Sequence, residues 1–461
     1  MRVLHAIHDF LPRHRAGSEL YAFHLCRELA LRHEVAVLCA EYDLTRPHGE
    51  LARREHAGLP VFELVNNWAF DRFEDSYRSP LVADQIAMVL DEFRPDVLHL
   101  HNLLNLSLDV PALAKQRGIP VVATLHDYTL VCPSGGQRVH VAEQHTCVQI
   151  DPERCSRCFA QSPFAGAMAL GRRAGATPFP GPALGLARAL RRRVPRLFAS
   201  VAARTARGVD ASPAAIRQRL DYALRACEDV DLFIAPSRSL ADEFRRLGVP
   251  AAKLRVSDYG FPPMDGPPAR ARPAGAPLAI GFVGTLVWHK GVHVLLEAAA
   301  RLPRDRFELL VFGSLDTFPD YAASLRRLAE GLPVRFLGGF ENGDAARIYA
   351  QLDVLVVPSL WPENSPLVIH EAFQAGVPVV GARVGGIPDL LRGGESGPLY
   401  APFSAAELAQ CLAELIDSRE RLAALRAALP AVKPIAQDAA EWEASYAALR
   451  ARPRQPRAAP A

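Results

Sequence analysis

Trp361-Pro-Glu-Asn-Ser-Pro-Leu-Val-Ile-His-Glu-Ala-Phe-Gln-Ala-Gly376 is the stretch on which the reading of this chain turns. The apolar run Val354-Leu-Val-Val357 leads into it and Val377-Pro-Val-Val380 follows at once, which predicts a strand–loop–helix–strand unit. Ser365 suits the N-cap, Pro366 the first helical position, and Gly376 the left-handed residue just past the helix end. Proline has no N–H, so the free donors at this helix start belong to Leu367 and Val368. With the helix dipole they make a seat for an anion such as a phosphate. Glu363 lies just before the helix and Glu371 on its second turn. One carboxylate is expected to face a group beside the phosphate and the other a hydroxyl deeper along the helix. A ligand with hydroxyls at both ends of a diphosphate, a nucleotide sugar, suits that arrangement. Two glutamates eight apart are common on surface helices. What sets this stretch apart is the whole string, a polar tetrad opening a helix that is otherwise small and apolar.

The chain has 461 residues, enough for two domains of ordinary size. Hydrophobic residues make up 49% and charged residues 22%, a globular composition. A net charge of +3 gives no argument for nucleic acid. Met1–His8 reads as a first strand, too short and too polar for the apolar region of a signal peptide. No run of about 18 apolar residues is present, so no membrane span is expected and the chain reads as cytoplasmic. Its eight cysteines are then expected as thiols or metal ligands and not as disulfides.

The first half alternates apolar runs (Val3–Ile7, Glu34–Cys39, Val61–Val65, Asp96–His101, Pro120–Leu125) with helical patterns (Ser18–Leu31, Leu81–Phe93, Val110–Arg117). That rhythm predicts a parallel sheet covered on both faces, with ligands at the carboxyl ends of its strands. Three features fall there: Gly17 in Arg15-Ala-Gly-Ser-Glu19, which lets backbone approach a ligand, with Ser18 as a candidate cap; His101-Asn102; and Thr124-Leu-His-Asp127.

From Tyr128 to about Ser212 the rhythm breaks. Cys132, Cys147, Cys155 and Cys158 cluster there, the last two as Cys-Ser-Arg-Cys. The pattern fits a structural zinc held by four thiolates, and equally free or redox-active thiols. Residues 161–225 carry twelve arginines against two acids, Asp210 and Asp221. Leu186, Leu190, Val194, Leu197 and Val201 recur as on a helix, split at Pro195. A basic amphipathic helix of this kind suits an anionic membrane surface, and a solvated helix packed on the domain fits as well. No aromatic platform accompanies the arginines, so nucleic acid is not expected.

Residues 263–277 form a linker rich in proline, glycine and alanine, which divides an N-terminal domain (1–262, with the insertion 128–212) from a second domain (278–435). The second domain repeats the α/β alternation, beginning with the strand Leu278–Val283 and the loop Gly284-Thr-Leu-Val-Trp-His-Lys-Gly291. A last helix (436–452) carries Trp442 and Tyr446, and 453–461 reads as a disordered tail.

The string 361–376 resembles the Glu-x7-Glu signature of the retaining GT-B glycosyltransferases of family four. Thr124–Asp127 resembles the family's Thr-x-His-Asp, whose histidine lies beside the transferred sugar. Arg15–Glu19 keeps one glycine of the family's usual pair, with the glutamate that follows it. Gly284–Gly291 is similar to the family's Gly-Arg-Leu-x3-Lys-Gly, with Lys290 at the lysine that binds the donor diphosphate. Thr285 stands where the family has arginine, and Arg15 and Arg383 are the candidates to compensate.

The resemblance implies an α/β fold of two Rossmann-like domains facing across a cleft, with the last helix crossing back to the first domain. It implies a retaining hexosyltransferase that takes sugar from a UDP- or GDP-linked donor to a glycan or lipid-linked acceptor. Such an enzyme would serve cell-surface polysaccharide or glycoconjugate synthesis, in the cytoplasm or at the inner face of the membrane. Glu363 and His126 would be catalytic. Gly17, Lys290, Asn364, Ser365, Pro366, Leu367, Val368 and Glu371 would bind the donor. Same-face attack, with the donor's own phosphate oxygen taking the acceptor proton, needs no catalytic metal. A nucleotide-sugar epimerase of the same fold and a non-catalytic nucleotide-sugar binder are the alternatives.

Overall fold

The computed structural model describes residues 1–174, 211–264, 266, 275–340 and 342–452. The N-terminal half builds one sheet from β1 (Arg2–Ile7), β2 (Glu34–Glu41), β3 (Leu51–His56), β4 (Leu59–Val65), β5 (Val97–Leu100) and β6 (Val121–Thr124). After a small hairpin of β7 (Val139–His140) and β8 (His145–Thr146), β9 (Leu232–Ala235) and β10 (Leu254–Val256) complete it. The order is β10-β9-β6-β5-β1-β2-β4-β3, and every pair is parallel except β3–β4. The C-terminal half builds a second sheet from β11 (Leu278–Val283), β12 (Phe307–Phe312), β13 (Val334–Gly338), β14 (Val354–Val357), β15 (Val379–Ala382) and β16 (Leu399–Tyr400). Its order is β13-β12-β11-β14-β15-β16, parallel throughout.

Both sheets are built around inner strands that are apolar along most of their length. All six residues of β11 are buried, as a strand covered on both faces requires. Strand order reverses between β1 and β5 in the first sheet and between β11 and β14 in the second. A crevice opens beyond the carboxyl ends of strands at such a point. The loops that leave there carry Gly17 and His101 in the first half, and Lys290 and Glu363 in the second. The antiparallel edge strand β3 was not expected. Its Leu-Ala-Arg-Arg-Glu-His is mostly polar because an edge strand needs little burial.

The final helix, Ile435–Arg450, leaves the second half and packs on the helix Gly17–Leu29 of the first. Trp442 and Tyr446 are buried in the same cluster as Tyr21 and Leu25. Tyr446 Oη lies 2.6 Å from His99 Nδ1, and Trp442 Nε1 donates to Tyr21 Oη at 3.2 Å. Buried Asp438 ties this crossing together, accepting from Tyr21 Oη (2.8 Å), the Gly260 N–H (3.0 Å) and Lys433 Nζ (2.7 Å).

Most of the linker, the run Leu186–Val201 and the tail from 453 lie outside the described residues. Within the described part of the arginine-rich stretch, Arg219 on the helix Pro213–Glu228 is buried and donates to the carbonyls of Thr129 (2.9 Å) and Leu130 (3.1 Å). No helix among the described residues is long and apolar enough to cross a membrane.

Removing the Asp438 carboxylate leaves the buried Tyr21 hydroxyl and Gly260 N–H without their acceptor, while Lys433 keeps only Glu441 and Ser257. Asp438→Ala is expected to lower unfolding free energy by roughly 3 kcal/mol in a urea titration. A change under about 1 kcal/mol would mean the crossing helix does not depend on it.

Candidate active site

The decisive string folds as a loop followed by the helix Leu367–Gln374. The helix starts one residue later than expected. Pro366 is its N-cap, and Ser365 does not cap it. The Ser365 hydroxyl is spent on the domain boundary instead, donating to Asp258 Oδ1 at 2.7 Å, with His370 Nε2 2.9 Å away. The consequence for the helix start is small. Ile369 N–H bonds the Pro366 carbonyl, while the N–H groups of Leu367 and Val368 have no partner among the described residues. Gly376 takes its left-handed conformation past the helix end, at φ +74°.

A second helix start faces this one. The helix Gly17–Leu29 opens at Gly17, and Leu20 is the first residue whose N–H is bonded back, to Ala16 O at 3.1 Å. Ser18, the expected cap, donates to Glu19 Oε2 (2.8 Å) and leaves the early amides without a side-chain cap among the described residues. A Cβ on Gly17 would stand 3.2 Å from Leu367 Cδ1, so glycine here lets the two helices approach end to end. The positive ends of two dipoles therefore meet, one from each half, which is a seat for an anion.

Beside it, Glu363 is buried, and its Oε1 accepts from Lys290 Nζ at 2.5 Å and Ser359 Oγ at 2.6 Å. Burial alone would raise its pKa, but the Lys290 charge and these hydrogen bonds outweigh that and hold it below the ordinary carboxylate value. The residues expected on a diphosphate and on a sugar thus stand paired with each other. Glu371 has the opposite environment: burial raises its pKa, and Tyr349 Oη donates to its Oε2 at 2.7 Å. A cavity of about 390 Å³ between the halves is lined by Tyr21 and His24 from the first half and by Leu367, Glu371 and Gln374 from the second. Thr285 is exposed, as is Arg15, and Arg383 donates to Leu399 O at 3.3 Å.

Asn364, expected on the donor, is held by the first half. Its Nδ2 donates to Leu125 O at 2.8 Å and its Oδ1 accepts from Ser237 Oγ at 2.9 Å, both across the cleft. Because Leu125 precedes His126 and Asn364 follows Glu363, this bracket brings the two expected catalytic residues to facing loops. Tyr259 Oη lies between them, 2.8 Å from His126 Nδ1 and 3.5 Å from Asn364 Nδ2.

His126 heads a row of imidazoles that sequence reasoning missed. Its Nε2 lies 3.0 Å from His101 Nδ1, and His101 Nε2 lies 2.9 Å from His5 Nδ1. His99, paired in register with His5, stacks on His101 and contacts Thr124 Oγ1 at 2.8 Å. The period-two spacing of His99 and His101 was the available signal for a shared face. His5, His99 and His101 bring ligand-type atoms within 4.8 Å of one another, as do His8, Asp9 and Glu19 at the end of β1. Also missed was Gly386, whose N–H donates to Glu363 O at 2.7 Å and whose added Cβ would stand 1.8 Å from Asn364 O. Cys132, Cys147, Cys155 and Cys158 line a separate cavity in the insertion.

Burial pushes His5 and His126 down to about 3 and holds His99 and His101 well below 6.5. The unfolded chain binds protons near pH 6.5 that the folded chain refuses, so stability is complete above that pH and is lost as pH falls toward 3. Well below pH 6.5 each such histidine contributes about 1.4 kcal/mol per pH unit to that slope. Urea titrations across this range check it, and a flat profile would contradict neutral burial.

Two family models match this chain. Residues 277–418 match "Glycosyl transferases group 1" and residues 15–172 match "Glycosyltransferase Family 4". Among curated relatives, the sulfoquinovosyl transferase SQD2 of Arabidopsis thaliana is 30% identical over 204 residues, covering 41% of this chain and 38% of the relative. The match thus spans well under half the relative's length. Among solved structures, sucrose-phosphate synthase from Thermosynechococcus elongatus superposes with a TM-score of 0.61 at 18% identity, covering 97% of each chain. Anabaena Alr3699/HepE in complex with UDP-glucose gives a TM-score of 0.56 at 18% identity, covering 98% of this chain and 97% of that one. With models of both halves matched and the two-sheet architecture shared, the chain belongs to the group 1 glycosyltransferases of family four and has their GT-B fold.

Proposed function

We propose that the protein transfers a hexose-type sugar from a nucleotide diphosphate sugar to a glycan or lipid-linked acceptor, with retention at the anomeric carbon. The observation that carries this reading is the pair of facing helix starts at Gly17 and Leu367, flanked by Glu363 and Glu371. The diphosphate accepts hydrogen bonds from the amides of Leu367 and Val368 and from those at Gly17. Fixed amide donors need no reorganisation as charge grows on the leaving group. Glu371 takes the ribose hydroxyls, in a wall of the cavity between the halves. Alr3699/HepE, which shares the fold, was solved in complex with UDP-glucose, a donor of this class.

Lys290 has a double role in this reading. Its ammonium is shared between Glu363 and the arriving diphosphate, which competes for the same N–H donors. Lys290 bridges phosphate and carboxylate, and Ser359 Oγ still donates to Glu363, so the carboxylate stays ionised. Glu363 then lies beside the sugar, where an ionised carboxylate stabilises positive charge developing at the anomeric carbon. Neutral His126, on the facing loop, hydrogen-bonds a sugar hydroxyl through whichever nitrogen is released from Tyr259 or His101. The donor's phosphate oxygen takes the acceptor proton, so the step needs no protein nucleophile. Thr285 in place of the family's arginine favours one rival, a non-catalytic nucleotide-sugar binder, which would bind donor and turn over with no acceptor.

A thermal-shift screen over nucleotide diphosphate sugars identifies the donor by mass action. With that donor and an acceptor panel, Glu363→Gln is expected to cut kcat roughly 10²–10³-fold. Donor affinity and circular dichroism should stay near wild type. Lys290→Ala is expected to weaken donor binding as well as turnover. Full activity of Glu363→Gln would overturn the assignment, and inversion of the anomeric proton's coupling in the product NMR spectrum would overturn retention.

A further inference from the structure

Among the described residues after β6, the stretch that holds the cysteines, 128–160, contains little that can fold on its own. Its hairpin, β7–β8, has two residues per strand. The helix Pro152–Ala160 that follows has only Phe159 buried. Units this small carry too little apolar core for stability and are commonly stapled by a metal or by disulfides. Disulfides are not the staple here, since all eight cysteines are free.

Four of those cysteines come together from separate places in this segment. Cys132 follows β6, Cys147 follows β8, and Cys155 and Cys158 lie one turn apart on the helix Pro152–Ala160, on one face. All four line a single cavity of about 20 Å³.

The charge beside them points the same way. Arg219 is buried, yet its guanidinium makes no ion pair among the described residues. It bonds only the carbonyls of Thr129 and Leu130 and lies near the Tyr77 ring. Burial drives its pKa down, and the groups that oppose this are Cys132, Tyr77 and Cys155. A buried cation without a counter-charge is costly. Neutral thiols cannot supply that charge. A dication held by four thiolates carries a net charge of −2 and can.

We infer that Cys132, Cys147, Cys155 and Cys158 bind one thiophilic divalent cation of the zinc class as a closed tetrathiolate site, with Arg219 as its buried counter-charge. Binding releases four thiol protons to solvent for each ion bound and leaves no open coordination position, so the site is structural. Zinc–sulfur bonds of about 2.3 Å place the sulfurs about 3.8 Å apart. Among the described residues no three cysteine sulfurs come within 4.8 Å of one another, so the ion draws the loop and the helix inward. The loop in question begins at the residues expected on the sugar side: Cys132 N–H bonds Tyr128 O at 2.7 Å, Tyr128 N–H bonds Gly136 O at 3.0 Å, and Asp127 is held by Asn102 at 3.0 Å. The ion thereby braces the backbone that follows His126.

The test uses the full chain purified without chelator. Elemental analysis should give one zinc per chain, and cobalt reconstitution should give the intense visible bands of tetrahedral thiolate coordination. X-ray absorption should report four sulfur neighbours. Chelation should lower the melting temperature and added zinc should restore it. Cys155→Ser/Cys158→Ser should lose more than a hundredfold in zinc affinity, while Cys411→Ser, outside the cluster, should keep it. If the double variant does not fold, the sulfur count and the chelation cycle on the wild-type chain decide. Absence of stoichiometric metal together with failure of added zinc to bind would overturn the inference. So would a nitrogen–oxygen coordination shell, or full zinc retention in the double variant.

Discussion

The bond from Asn364 Nδ2 to the Leu125 carbonyl, 2.8 Å across the cleft, is the constraint on which the site depends. It joins two loops at the residues next to the chemistry: His126 follows Leu125, and Glu363 precedes Asn364. Ser237 closes the other end of the same amide, and Arg238 N–H bonds Asp389 Oδ2 at 2.7 Å beside it. Ser365 adds Asp258, and Phe261 stacks on His370 with ring centroids 4.4 Å apart. Gly386 must be glycine because the chain that returns after β15 lies directly on the Glu363–Asn364 backbone. The loop before the helix Leu367–Gln374 is therefore gripped from both halves, and the direction of the helix start is fixed.

That fixed direction makes the electrostatics coherent. Two helix starts aimed at one gap raise the potential there, and each leaves amide donors free because neither has a side-chain cap. A better-capped sequence at either end would have spent those donors on the protein itself. The two carboxylates that flank the gap are tuned apart by their neighbours. Lys290 keeps Glu363 ionised despite burial, whereas burial beside the Tyr349 hydroxyl raises Glu371. Behind His126, the row of histidines is neutral because burial disfavours each charged form, so the sheet under the cleft adds no cation that would compete for the ligand.

Much of the fold was legible because it is written in apolar runs. β11 falls where the sequence places it, and the last helix, which the resemblance has crossing back to the first domain, is present with Trp442 and Tyr446 buried. The helix at Leu367 was legible from proline and glycine at its two ends. What escaped was everything that depends on a partner distant in sequence. Ser365 looks like a cap, but Asp258 lies 107 positions away and takes its hydroxyl. The bond of Asn364 to Leu125, 239 positions away, could not be read from the string around it. Lys290 and Glu363, assigned to separate parts of a ligand, pair with each other across 73 positions. The polar edge strand β3 escaped for a different reason, since its burial is slight and leaves no hydrophobic period to read.

The central claim is that a nucleotide diphosphate docks on the amides that open the helices at Leu367 and Gly17. Amide hydrogen exchange followed by mass spectrometry, with and without the cognate nucleotide diphosphate, tests it most directly. The account predicts that peptides holding Leu367–Val368 and Gly17–Ser18 both slow on binding, in the wild-type chain at saturating nucleotide. Saturable nucleotide binding that leaves both peptides exchanging at their free rate would contradict it.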